Sequence, residues 1–244
     1  MNLTNVGFDA CEMRQESRRL TAYHEGGHAI VASLTPDALP VHKATVVPRG
    51  QSLGMVMQLP SADETSWSKR QMLAKMDVCM GGRVAEEIIY GTDNVTSGAS
   101  SDFEQATQLA TRMVERWGMS EKVGFVTHRN LTGQGGEAHV SQHTREAIDA
   151  EVKRLTGQAY NNAKKLLLEN EDKLHKLAGE LIKEETLTGD QVREIIGVKN
   201  AIIGVKNASA KKTQESQSSA DAAKSQPPPA EGGPQPKRSW FRSK

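Results

Sequence analysis

The chain has 244 residues, with 31 Lys+Arg against 30 Asp+Glu, 36% apolar and 4% aromatic residues. Balanced charge excludes the basic excess that nucleic-acid binders carry, so no nucleic-acid partner is expected. Two cysteines, Cys11 and Cys79, exclude a disulfide scaffold and fit a reducing compartment. The longest apolar runs are a handful of residues, as at Ala29-Ile30-Val31-Ala32. A membrane-spanning helix needs ~20, so no transmembrane segment is expected, and the N-terminus has no apolar signal core.

In chain order, Glu16–Leu34 is predicted as a helix, with Leu20, Gly27, Val31 and Leu34 on one stripe and Pro36 and Pro40 ending it. Val41–Val47 and Gly54–Leu59 are predicted as short strands, joined by a turn at Pro48-Arg49-Gly50. Ser66–Tyr90 is predicted as a long helix carrying Leu73, Met76, Met80 and Val84 at helical spacing and stopping at Gly91. Ser101 and Glu104 form a capping-box pattern that opens a helix running through Trp117 to Gly118. Val123–Thr127 is expected as a further strand. A Gly-rich loop at Gly133–Gly136 precedes two long helices, Thr144–Glu169 and Asp172–Glu185, and a Thr188/Gln191 box opens a last short one. The sum is an α+β class, predominantly helical, with a small strand element and a C-terminal helical bundle.

Ile195–Ala201 recurs as Ile202–Ala208, a seven-residue duplication too short to be a solenoid. From Ala208 onward the chain is Ser-, Ala-, Gln- and Pro-rich, with seven Lys/Arg against three Asp/Glu. Such a segment buries too little apolar surface to offset its ordering entropy, so disorder is expected. Trp240 and Phe241 near its end are read as a frayed terminus.

One motif carries chemistry. His24-Glu25-Gly26-Gly27-His28 matches H-E-x-x-H, with a chance expectation of only ~0.02 in a chain of this composition. On a helix, positions i and i+4 share a face, so both imidazoles can reach one Zn²⁺. Glu25 lies ~100° around the helix, beside the metal, where it can take a proton from water. His139 and His143 are also four apart but lack the Glu, and a surface pair is the better reading. The lone His42, His128 and His175 are read the same way.

A catalytic zinc takes three protein ligands and keeps one open position. The metzincin extension fails, because Val31 stands at its Gly place and Leu34 at its His place. Three candidates for the third ligand stay open on pattern alone. Asp102 follows the small-residue run Thr96–Ser101, and Glu86 and Glu87 follow Gly81-Gly82, which permits close helix packing. Gly26 and Gly27, each costing ~1 kcal/mol relative to Ala, would let another backbone approach the motif helix.

HEGGHAIVA, ALPVHKATVVPRGQSLGMVMQLP, MGGRVAEEIIYG, TSGASSDFEQAT and WGMSEKVG together resemble the peptidase domain of FtsH-type membrane AAA metalloproteases, and within them the mitochondrial i-AAA branch. The resemblance spans about Arg18 to Ile196. It implies a zincin-type metalloprotease domain at 16–196, after an unmatched lead at 1–15 and before the duplicated segment at 197–207 and the tail at 208–244. It implies one Zn²⁺ per chain held by His24, His28 and Asp102, with Glu25 catalytic and Glu86 orienting a ligand histidine. Gly54, Met55, Val56, Met57 and Gln58 are implied as the edge strand along which an extended substrate adds itself.

The implied activity is zinc-dependent hydrolysis of unfolded or membrane-associated proteins, driven in the family by an AAA ATPase within a hexameric ring. No Gly-Lys pair occurs in the chain, so the phosphate loop of that ATPase is not in this sequence, and ATP enters only through a partner or missing module. The alternative is a motor-less structural or regulatory subunit of a homo- or hetero-hexameric ring. The implied location is the mitochondrial inner membrane, with the plastid as alternative.

Overall fold

The computed structural model describes residues 3–48, 53–59, 66–128 and 140–198, with side chains from residue 15 onward. Helix α1 (Leu3–Leu34) is followed by strands β1 (Val41–Thr45) and β2 (Met55–Gln58), then by α2 (Lys69–Tyr90) and α3 (Ser100–Glu115). Helices α4 (Gln142–Glu169) and α5 (Glu171–Glu184), strand β3 (Thr186–Thr188) and helix α6 (Gly189–Ile196) complete the described part. This is the expected α+β architecture, dominated by helices.

Local chemistry sets the helix ends. Ser68 caps α2 in a reciprocal box with Gln71, and Gly91, at φ 82°, receives the stop by donating its N–H to the Glu87 carbonyl. Thr188 and Gln191 form the same box at α6, and Gly197 closes that helix in the left-handed region. Glu171–Glu184 is amphipathic, burying Leu174, Leu177, Ala178 and Leu181. Full burial of a leucine contributes ~1.5–3 kcal/mol, so this one face is a large part of what holds α5 in place.

The crossing of α1 over α2 positions everything that follows. A methyl on Gly27 would stand 2.3 Å from the Gly81 carbonyl oxygen, so the two helices meet backbone to backbone. Ile30, Met76 and Val84 are fully buried around that crossing. α4 packs on α2, and α5 packs on α1. The sheet is antiparallel with order β2-β1-β3, pairing Ala44 with Val56 on one side and with Leu187 on the other. β2 is therefore an edge strand.

Several expectations are corrected. α1 begins at Leu3 rather than Glu16, since no proline interrupts residues 3–34. α3 begins at Ser100 with Ala99 at its N-cap and no side-chain cap, so Ser101 and Glu104 form no capping box. A 3₁₀ turn at Ser97–Ala99, capped by Thr96, leads straight into α3 and supplies the entry instead. The same helix stops at Glu115, short of Gly118.

Val123–Thr127 is not a strand. Gly124 donates to the Ser120 carbonyl, His128 donates to the Glu115 carbonyl, and Phe125 is 89% exposed. The β-branched and aromatic residues there find no neighbouring strand among the described residues. β3 was not expected, because Thr186–Thr188 is too short to show an alternating pattern. The turn residues Arg49 and Gly50, the Gly-rich loop, His139, most of the duplication and the basic tail lie outside the described residues.

Candidate metal centre

Two helices bring the three candidate ligands together. α1 presents His24 and His28 one turn apart, and α3 presents Asp102 from its first turn. The two Nε2 atoms are 3.1 Å apart, and Asp102 Oδ2 is 3.3 Å from each. Ligand atoms ~2.0–2.1 Å from one zinc at tetrahedral angles stand about 3.3–3.4 Å from each other. The three atoms therefore match one face of a zinc tetrahedron, which leaves a fourth vertex open.

The opposite ring nitrogens fix the direction of the lone pairs. His28 Nδ1 donates to the Val78 carbonyl at 2.7 Å, and a carbonyl has no proton to give back. His24 Nδ1 faces Glu86 Oε1 at 2.7 Å. With both Nδ1 atoms donating, both Nε2 lone pairs converge on the same point. A methyl on Gly82 would fall 2.4 Å from His24 Nε2 and 2.6 Å from His28 Nε2. The absence of a side chain at Gly82 thus leaves room for the rings and for an ion between them.

Electrostatics favours positive charge at that point, whether a metal ion or the His24 proton that a metal would displace. Burial pushes the His24 imidazolium down, but hydrogen bonds to Asp102 and Glu86 outweigh it and raise the pKa to about 9. Burial pushes the Asp102 carboxyl up, and the two imidazoles more than reverse this, holding it well below the usual carboxylate range. Glu86, fully buried, is likewise held below its ordinary value by bonds from His24 and Thr96 despite desolvation. Glu25 differs. Burial raises its pKa, and the lowering influence of His28, His24 and the Val56 backbone N–H does not cancel that.

Glu25 and β2 line the same cleft. Gly54 packs so closely on Glu25 that a methyl there would lie 2.7 Å from the carboxylate. Met55 is partly exposed and Val56 and Gln58 line the cleft beside the histidines. Met57 pairs with Lys43 in the sheet.

The structure separates the other candidates from this cluster. Glu87, next to Glu86, turns to α4, where Tyr160 Oη donates to its carboxylate and Lys164 lies 4.0 Å away. Cys79 lines the cleft, but burial pushes its thiol up to about 11, so it stays protonated. His42 and His143 are exposed. His175 is exposed as expected, though bonded to the Tyr23 hydroxyl at 2.9 Å, whereas His128 is half-buried with Nε2 lacking a partner and is not a plain solvated histidine. Two contributors escaped the sequence reading. The Val78 carbonyl leaves no side-chain signal, and Thr96 was visible only as one of several small residues.

Comparison with known proteins identifies the family. The pattern of peptidase family M41 matches residues 11–195. The chain is 53% identical over 182 residues to the Arabidopsis thaliana ATP-dependent zinc metalloprotease FTSH 11, chloroplastic/mitochondrial, covering 75% of this chain and 22% of that protein. It is 49% identical over 191 residues to FtsH of Caulobacter vibrioides, covering 75% and 30%. It is 47% identical over 182 residues to the Drosophila melanogaster ATP-dependent zinc metalloprotease YME1L, covering 75% and 25%. The chain thus spans less than a third of the length of these relatives. With the family pattern covering most of its length and close to half of the aligned residues identical, this chain belongs to peptidase family M41, alongside FtsH-type zinc metalloproteases.

Proposed function

We propose that this chain carries the zinc-dependent endopeptidase activity of an FtsH-type protease, with the peptidase domain at 16–196. The observation that carries the reading is the triangle of His24, His28 and Asp102 donor atoms, whose edges are 3.1, 3.3 and 3.3 Å. A zinc ion held there supplies a Lewis acid that polarises a peptide carbonyl and makes water acidic near neutral pH.

The chain's own residues supply the rest. Glu25 is buried beside the cluster with a raised pKa, which suits a group that takes a proton from water and returns it to the leaving amine. Glu86 and the Val78 carbonyl hold the two imidazoles in the orientation that presents Nε2. β2, from Met55 to Gln58 and preceded by Gly54, offers backbone groups at the edge of the sheet to an extended substrate. An extended backbone is common to all unfolded chains, which fits unfolded or membrane-associated proteins as substrates. The names of the relatives, all ATP-dependent and in two cases chloroplastic/mitochondrial, support a motor-driven protease of a mitochondrion or plastid, and the hexameric ring at a membrane is what the resemblance implies. Among the described residues no helix is long and apolar enough to cross a membrane.

The test uses the purified chain, zinc analysis and an unfolded substrate such as casein. Glu25→Gln is expected to keep one zinc per chain and lose cleavage by about 10²–10⁴-fold. Asp102→Ala is expected to lose the metal. Full cleavage by the first variant, or full zinc in the second, would overturn these roles.

A further inference from the structure

The metal site is assembled from α1 and α3, which reach it by different routes along the chain. Glu86 accounts for the first of these, since it accepts from His24 Nδ1. Its other oxygen, Oε2, does not face α1 at all. It accepts from the Thr96 backbone N–H at 2.8 Å and from the Thr96 hydroxyl at 3.0 Å. The same hydroxyl oxygen accepts from the Gly98 N–H at 3.1 Å, which caps the 3₁₀ turn at Ser97–Ala99. That turn runs directly into α3, whose third residue is Asp102.

We infer that Thr96 is a positioning residue for the metal site, locking the Asp102 helix to the carboxylate that orients His24. One hydroxyl acts in both directions, donating to Glu86 and accepting from the turn that launches α3. Without it, Glu86 keeps only the backbone donor on Oε2 and the turn loses its cap. His24 and Asp102 then lose the common reference that sets their 3.3 Å spacing. The effect concerns neither substrate nor the open vertex, so it falls on metal affinity first. The inference rests on His24, His28 and Asp102 being the zinc ligands.

Competition with a chromophoric chelator measures zinc affinity in the full chain and in Thr96→Val and Thr96→Ser. Valine keeps the shape and the backbone donor but removes the hydroxyl, and zinc binding is expected to weaken about tenfold, at the low end for partners that orient metal ligands. Serine restores the hydroxyl and is expected to bind within about threefold of the parent. The ligand-field absorption of Co²⁺ in the same site is expected to change in the valine chain and to return in the serine chain. If the valine chain does not fold, Thr96→Ala carries the same comparison with serine. Parental affinity and an unchanged Co²⁺ spectrum in the valine chain would overturn the inference, as would a serine chain as weak as the valine chain. A parent that binds no zinc at all would instead overturn the ligand assignment itself.

Discussion

Helix α2 has a buried carboxylate on each of two faces, and the two behave in opposite ways. Toward α1 stands Glu86, fully buried, with His24 on one oxygen and two donors from Thr96 on the other. Toward α4 stands Asp77, 8% exposed, whose partner is the neutral side-chain amide of Asn162 at 3.2–3.3 Å. Burial is nearly equal, so burial does not decide the outcome. Donor number and charge do: Glu86 is held below the ordinary carboxylate range, whereas desolvation carries Asp77 up to about 6. One face surrounds a buried charge with donors beside the two histidines, and the other packs helices.

The largest break in this contrast is expected at Gly82. Its replacement by alanine puts a methyl 2.4 Å from His24 Nε2, so the rings must move and the triangle of donors opens. Alanine also favours the helix by up to ~1 kcal/mol, which offsets part of the cost of displacing the rings, so the helical fold is expected to persist. Gly82→Ala should therefore lose zinc by more than about 100-fold while its circular dichroism stays parental. Full zinc content after dialysis would show that the α1-facing side of α2 is not the tight cradle described above.

A smaller effect separates two neighbours. Glu86→Gln is expected to weaken zinc binding about 10–100-fold, because an amide replaces the carboxylate that fixes His24. Glu87→Gln, one residue on, faces Tyr160 and Lys164 and is expected to leave zinc affinity within about twofold. Equal losses in a chelator competition would mean that the two faces of α2 are not functionally distinct.

That distinction marks how far the sequence is legible. His24, Glu25 and His28 announce themselves by spacing alone, because one helical turn is a local geometry. Gly27 and Gly81 likewise announce a close helix crossing, and the structure places one against the other. The third ligand is different. Glu86, Glu87 and Asp102 are equivalent on pattern, since the choice depends on how α2 and α3 are set around α1, a matter of tertiary packing. The resemblance to a known family pointed to Asp102, and the described geometry brings that residue to the two histidines. The Val78 carbonyl is invisible in any sequence, as every residue has one. The false capping box at Ser101 shows the converse, a local signal overridden because Thr96 caps the preceding turn.

The smallest predicted effect lies on the α4-facing side and has the opposite sign. Asp77 titrates at 3.8 in the unfolded chain and at about 6 in the fold. Between those values the native state holds a proton that the unfolded state has released, so stability falls as pH rises. The contribution of the protonated group is complete below about 3.8 and is lost as pH passes through about 6. After allowance for solvent screening the loss is about 1–2 kcal/mol. Asp77→Asn removes the ionisation and keeps an oxygen to accept from Asn162. At pH 7 the asparagine chain should then be more stable than the parent by about that amount, and near pH 4 the two should converge. Urea unfolding of both chains across this range measures the difference, and the subtraction cancels every other titrating group. A constant difference across the range would mean that Asp77 ionises in the fold without penalty, and a single amide would then suffice to hold a buried carboxylate that the α1-facing side holds with three donors.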